Sequence, residues 1–160
     1  MKNIIKLIAL TTALLPLGQL QAKTFGGFAP KKTFTLTVTG KVVTQVAITT
    51  DSEPKTVPLP KGMINLSLDK PVTFTIGAKG QLISKGFEVR FLTGNTNPKV
   101  NVYSNLPEKP TGQLPRNPSN CAVYKNSQGE PIGAQVKFYQ NSGKGLKRVF
   151  TTVVYDLKKK

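Results

Sequence analysis

Alternating apolar residues make the stretch from Lys32 to Val43 the most regular part of the chain. Every second position is apolar or glycine, namely Phe34, Leu36, Val38, Gly40 and Val42, and the positions between them are threonine or lysine. Strict period two with β-branched residues predicts a strand with one buried face. The pattern leaves open whether this strand pairs within its own monomer, as an ordinary edge strand, or completes the sheet of another copy.

Shorter alternating runs continue along the chain, separated by residues that favour turns. Strands are predicted at Val42 to Thr50, Met63 to Leu68, Val72 to Ile76, Phe87 to Phe91, Val100 to Val102, Cys121 to Lys125, Ile132 to Gln140 and Leu146 to Leu157. The pair at Met63 to Leu68 and Val72 to Ile76 is predicted to form a hairpin. Strands at this spacing, with no helical period, predict an all-β fold of the β-sandwich type.

The two ends of the predicted sheet differ in pattern. The last strand has Val149, Thr151, Val153, Tyr155 and Leu157 on one face and Phe150, Thr152 and Val154 on the other. Because both faces carry apolar residues, it is predicted to be central or to line a groove. The first strand is apolar on one face and follows Lys23 to Lys32, where two glycines and a proline predict a flexible leader. A donor and an acceptor strand would show this asymmetry.

The chain begins with the features of an export signal. Met1 to Ala22 has Lys2 and Lys6 before an apolar run, and a small residue at its end. These features predict a cleaved secretory signal peptide, with a retained membrane anchor as the alternative. No later stretch is apolar enough to cross a membrane. The predicted organisation is residues 1–22 as the signal, 23–43 as leader and donor strand, and 44–160 as one β-sandwich domain, exported to the cell surface.

The charge balance is strongly basic, with 23 Lys and Arg against 7 Asp and Glu and a formal net charge of +16. Such a surface attracts polyanions, including acidic glycans and lipopolysaccharide, but export argues against nucleic acid as the target. Apart from Lys31–Lys32 and Lys158–Lys160, the lysines are scattered along the sequence. A solvated, aggregation-resistant surface is therefore favoured over a specific polyanion site.

Catalytic residue patterns are lacking in the sequence. There is no histidine, and the acidic residues are spread singly except for Asp51 and Glu53 in a Pro-rich loop. Two distant carboxylates could still meet as in a glycosidase, but a solvated loop explains this pair better. Cys121 is the only cysteine, and with no activating base it is predicted to be buried and passive. The sequence predicts no enzyme, no catalytic residue, no metal ligand and no cofactor.

One segment resembles a known family. Leu36 to Val42, LTVTGKV, is similar to the N-terminal donor segment of alpha-class chaperone–usher pilins, the colonisation-factor fimbrial major subunits. A looser likeness extends over Ala47 to Glu53, Phe87 to Leu106 and the C-terminal strand. In that family the subunit is an immunoglobulin-like sandwich that lacks its last strand. A periplasmic chaperone fills the gap, and the next subunit's N-terminal strand replaces it at an outer-membrane usher.

The resemblance implies a role for each end of this chain. Phe34, Leu36, Val38, Gly40 and Val42 would fill the groove of a neighbouring copy, and Val149, Thr151, Val153, Tyr155 and Leu157 would line the acceptor groove and pair with the chaperone. The implied protein is a structural subunit of a surface fimbria that supports adhesion to host cells and ends in a tip adhesin. The alternative is a monomeric secreted β-sandwich whose basic face binds acidic glycan or lipopolysaccharide.

Overall fold

Antiparallel β-strands make up the regular structure of the protein. The computed structural model describes residues 23–47, 53–95, 97–106, 118–143 and 148–160, and none of these residues is helical. The predicted signal segment and Asp51 lie outside these ranges. The strands are β1 (Thr33–Ala47), β2 (Lys55–Thr56), β3 (Pro71–Ile76), β4 (Leu82–Ser84), β5 (Phe87–Phe91), β6 (Val100–Ser104), β7 (Ser119–Lys125), β8 (Pro131–Ser142) and β9 (Val149–Lys158).

The strands form one nine-stranded sheet. From β3 to β9 each strand pairs with the next along the chain, so neighbours run antiparallel. The long strand β1 pairs with β3 through its first residues and with β9 through the rest, while the short β2 pairs with its far end. The first and last long strands therefore meet and close the sheet on itself. The all-β prediction is confirmed, whereas the immunoglobulin-like sandwich lacking a strand stays a prediction.

Two predictions for the middle of the chain are wrong. Met63 to Leu68 forms no strand, and β3 pairs with β1 and β4 instead of forming a hairpin with this segment. The reason is that β1 occupies the edge of β3 that the hairpin would need. Met63 and Leu66, three residues apart, are buried from an irregular segment. Strand β4 lies in a glycine-rich region between β3 and β5, where the sequence pattern predicts only a turn.

The residues before β1 pack into the core, which differs from the flexible leader expected from sequence. Phe25 and Phe28 pair through their backbones across Gly26 and Gly27, both of which have positive φ. Both phenylalanine side chains are buried. Two glycines between two apolar residues are typical of a tight two-residue turn, which brings both rings to the same side. We call Phe25 to Phe28 the leader turn.

Candidate functional site

Strand β1 lies between β3 on one edge and β9 on the other. Thr37 marks the crossover, since it is opposite Pro71 of β3 and Lys158 of β9. From Val38 to Ala47 the strand follows β9, and Thr44 and Gln45 have β2 as a second neighbour. The N-terminal strand thus fills the space between two parts of the chain's own sheet.

The first half of β1 has the buried face that its sequence predicts. Leu36 is 1% exposed and Val38 is 0% exposed. Phe34 is half-buried, and its ring stacks on Phe74 of β3 with 5.3 Å between ring centroids. Among the threonines of the opposite face, Thr33, Thr35 and Thr39 are exposed but Thr37 is buried. Strand β1 therefore contributes core side chains that another copy of the same strand could also supply.

A β-bulge changes the face of β1 beyond Val38. The register with β9 shifts between Val38 and Gly40. An extra residue in one strand reverses the alternation, because side-chain direction has period two. As a result Val43 is 6% exposed and Val42 is 50% exposed. In the chain's own fold, Gly40 and Val42 therefore leave the buried face on which the sequence places them.

Gly40 contacts β9. A Cβ atom there would lie 3.3 Å from Asp156 Oδ2. The preceding residue also binds β9, because Thr39 Oγ1 donates a hydrogen bond to the Asp156 backbone oxygen at 3.2 Å. The glycine therefore leaves room at the bulge for the Asp156 side chain.

Strand β9 is central, with β1 on one edge and β8 on the other, as its two apolar faces predict. Of the proposed groove residues, Thr151, Val153, Tyr155 and Leu157 are buried and Val149 is half-buried. Burial raises the pKa of Tyr155, whose hydroxyl donates a hydrogen bond of 2.9 Å to the Ile64 backbone oxygen. The structure brings the two predicted strands together, but only Val38 lies opposite a member of the predicted acceptor set, Leu157. Beyond the bulge, Gly40 and Val42 lie opposite Asp156 and Val154, which the prediction did not include.

The leader turn is a further part of this site that the sequence reasoning missed. The Gly26 carbonyl accepts hydrogen bonds from Lys125 Nζ at 2.6 Å and from Asn101 Nδ2 at 3.2 Å. The Lys125 and Lys32 amines lie 5.7 and 5.0 Å from the centre of the Phe28 ring. Such contacts between a cation and an aromatic face are attractive. The signal was present in the sequence, because two phenylalanines flank a glycine pair.

The described ranges contain neither a metal-binding cluster nor a membrane-spanning helix. No three His, Cys, Asp or Glu side chains gather there as a group that could hold a metal ion. No helix in these parts of the chain could span a membrane. Compared with known proteins, the chain matches no family model, no curated protein and no solved structure.

Cys121 lies on β7 with 1% of its side chain exposed, and burial raises the pKa of its thiol. A raised pKa leaves little reactive thiolate at neutral pH. We expect a thiol reagent such as DTNB to label the native protein only at the rate at which it unfolds, and rapidly in urea. Cys121→Ala should cost no more than about 1–2 kcal/mol of stability. Fast labelling without denaturant would contradict a buried, passive thiol.

Proposed function

We propose that this protein is a structural subunit of a surface fibre and that its copies are joined by exchange of the N-terminal strand. The observation that carries the proposal is the pairing of β1 with β9, because it closes the sheet between the two ends of the chain. Once the predicted signal has been removed, β1 would be the first strand of the chain and could leave the sheet without threading past another element. The resemblance of Leu36 to Val42 to pilin donor segments supports the same assignment.

Exchange of an identical strand preserves the contacts that it makes. Leu36, Val38 and the leader turn would bury the same surfaces in a neighbour as they bury in their own chain. The cost of swapping is therefore confined to the connection and to association entropy. Since each copy both gives and receives a strand through different surfaces, the contact is heterologous and need not close. Repetition of such a contact produces a filament.

The exchanged segment should end near Val43. Thr44 and Gln45 have a strand on each edge, and the Val57 amide donates a hydrogen bond to the Val43 carbonyl. From Thr33 to Val42 the strand lies beside β3 or β9, and only Thr37 pairs with both. These contacts favour residues 23–43 as the mobile segment and residues 44–160 as the domain that receives it.

A subunit without residues 23–43 would expose the edge of β9 from Val153 to Lys158 and the side chains beneath it. Unpaired edges and apolar grooves cause aggregation unless another chain covers them. The proposal therefore includes a periplasmic chaperone that holds the open subunit, an outer-membrane usher at which exchange occurs, and a tip adhesin, all as the resemblance implies. It also places the mature protein on the cell surface, where it would support adhesion to host cells.

A disulfide between facing residues can distinguish exchange from closure within one chain. Val42 and Val154 lie directly opposite each other; Val42 is exposed and Val154 is half-buried. Opposed residues in antiparallel strands have Cβ atoms about 4.5–5.5 Å apart, close enough for a disulfide after small shifts. In a Cys121→Ala background, oxidation of surface-assembled Val42→Cys/Val154→Cys protein should give a ladder of covalent multimers on a non-reducing gel.

The matched control shares one of the two cysteines. Lys137 of β8 is also opposite Val154, and β8 and β9 follow one another along the chain. Lys137→Cys/Val154→Cys should therefore give a cross-link within each chain and no ladder. If the Val42→Cys/Val154→Cys protein also gives only cross-linked monomer, β1 pairs in its own chain and the fibre proposal is wrong.

A further inference from the structure

Lysines that are far apart in sequence meet at one end of the sheet. Strand β1 begins at this end and β9 finishes there, as shown by the pairing of Thr33 with Thr75 and of Thr37 with Lys158. Because neighbouring strands are antiparallel, the end of β7 and the start of β6 lie there as well. We call this region the lysine end. It carries Lys23, Lys31, Lys32, Lys79, Lys99, Lys125, Lys158, Lys159 and Lys160.

The positive charge at the lysine end is largely unneutralised. Lys32 and Glu130, 3.1 Å apart, form the one ion pair among the residues that the structure describes. All the other lysines of this end except Lys125 are exposed. Asp156 is the nearest other acidic residue along β9, and its side chain accepts a hydrogen bond from Gln135. A region with this excess of cations attracts anions and concentrates them at its surface.

A cavity of about 300 Å³ opens within the lysine end, between the leader turn and the loop that joins β5 to β6. Lys125 lies in its wall, where desolvation lowers the pKa of the amine. The remaining wall is uncharged and mixed: it combines three asparagine amides and the two glycines of the leader turn with apolar residues, namely Asn95, Asn97, Asn101, Gly26, Gly27, Phe91, Pro98 and Val100. The cavity is at the lower end of the size range of ligand sites, about 300–1,000 Å³.

We propose that the lysine end is a binding surface for an acidic polysaccharide, with one sugar unit in the cavity beside Lys125 and neighbouring acid groups on the exposed lysines. Side-chain amides and exposed backbone groups suit sugar hydroxyls, since they both donate and accept hydrogen bonds. Phe91 provides an apolar wall for the face of a sugar ring. The surface would operate in a monomer or in a fibre, because Lys99, Lys125 and Lys158–Lys160 lie outside the exchanged segment.

The kind of cation favours a glycan over a nucleic acid. Of the three arginines of the chain, Arg90 and Arg148 are described by the structure and neither belongs to the lysine end, while Arg116 lies outside the described residues. Arginine is the residue of choice for bidentate phosphate and base recognition, whereas lysine acts as a point charge. Sulfate and carboxylate groups spaced along a polysaccharide need only such point charges.

The test uses heparin as the probe and the intact mature protein. Lys23→Gln/Lys31→Gln/Lys99→Gln removes three exposed charges at the lysine end, and Lys55→Gln/Lys61→Gln/Lys85→Gln removes three exposed charges at other positions. The first variant should lose at least about tenfold in heparin affinity at 0.15 M salt. Its slope of log K against log salt should fall by about one for each lost contact. The second variant should stay within about twofold of the unmodified protein.

A single substitution tests the cavity itself. Asn97 Oδ1 accepts a hydrogen bond from the Lys99 amide at 3.0 Å, so Asn97→Asp keeps this bond while placing a negative charge on the cavity wall. It should weaken heparin binding about tenfold without changing the melting temperature. Asn65→Asp is the control, because Asn65 Oδ1 likewise accepts a hydrogen bond, from Lys41 Nζ, at a site outside the cavity.

Two results would overturn the inference. Equal losses for the two lysine variants, or for the two asparagine variants, would show that heparin follows total charge alone and that the lysine end is not a site. Duplex DNA is the second comparison. If it binds as tightly as heparin and its binding depends equally on Lys23, Lys31 and Lys99, the lysine end is a general polyanion surface and the assignment to a glycan is wrong. Neutral dextran should not bind at all.

Discussion

Val38→Asp is expected to abolish the native fold or reduce it to a minor population at neutral pH. Val38 is fully buried; it pairs with Leu157 of β9, and its backbone forms hydrogen bonds with Asp69 and Lys70. The change therefore loses about 1.5–3 kcal/mol of apolar burial and adds about 2–7 kcal/mol for an unpaired polar group. The sum approaches the whole stability of an ordinary domain, about 5–15 kcal/mol. Urea unfolding followed by circular dichroism measures the loss.

Thr35→Asp is the matched control for this change. Thr35 lies on the same strand but is exposed, and its hydroxyl oxygen forms a hydrogen bond of 3.0 Å with the hydroxyl oxygen of Thr73. The same new charge should cost no more than about 1 kcal/mol at this surface position. In a fibre, Val38→Asp should also prevent multimers from forming, whereas Thr35→Asp should not. Similar unfolding midpoints for the two variants would show that β1 does not pack as described.

Deletion of residues 23–43 is expected to leave a chain that cannot fold alone but folds when the missing segment is added as a peptide. The deletion removes Phe25, Phe28, Leu36, Val38 and Val43 from the core. At about 1.5–3 kcal/mol each, these side chains contribute roughly 8–15 kcal/mol of burial. Because the lost contacts are made by one continuous segment, a peptide of the same sequence can restore them. Fluorescence anisotropy of a labelled peptide measures its binding.

The length of the peptide provides the control. A peptide of residues 32–43 contains the alternating strand alone, whereas residues 23–43 also supply the leader turn, whose Phe28 is fully buried. Truncation of a buried phenylalanine costs about 3–5 kcal/mol, so the shorter peptide, or a Phe28→Ala peptide, should bind at least about 100-fold more weakly. Two results would contradict the prediction that residues 23–43 form a separable strand. One is a deletion variant that folds without any peptide, and the other is a variant that binds neither peptide.

Much of the sheet could be predicted from alternation. Strands β1, β3, β5, β7, β8 and β9 coincide with runs of period two, and β9 has a neighbouring strand on each edge, as the apolar residues on both of its faces predict. The predictions failed where a tertiary contact decided the conformation. Met63 to Leu68 alternates but forms no strand, because β1 covers the edge of β3 that it would have used. An alternating pattern indicates which side chains could be buried on one face of a strand. It does not indicate which edge of a neighbouring strand is free to pair with that strand.

The sequence by itself determined an all-β fold, the buried face of the first strand as far as Val38, the central place of the last strand, and a strongly basic chain without histidine. These properties are local, since side-chain direction and charge follow from residue type and spacing. Only the tertiary structure decided that β1 pairs with β9, that a bulge at Gly40 turns Val43 inward, that the leader turn enters the core, and that scattered lysines meet at one end. Each of these depends on contacts between residues distant in sequence, which loop closure and packing select after the local pattern has been satisfied.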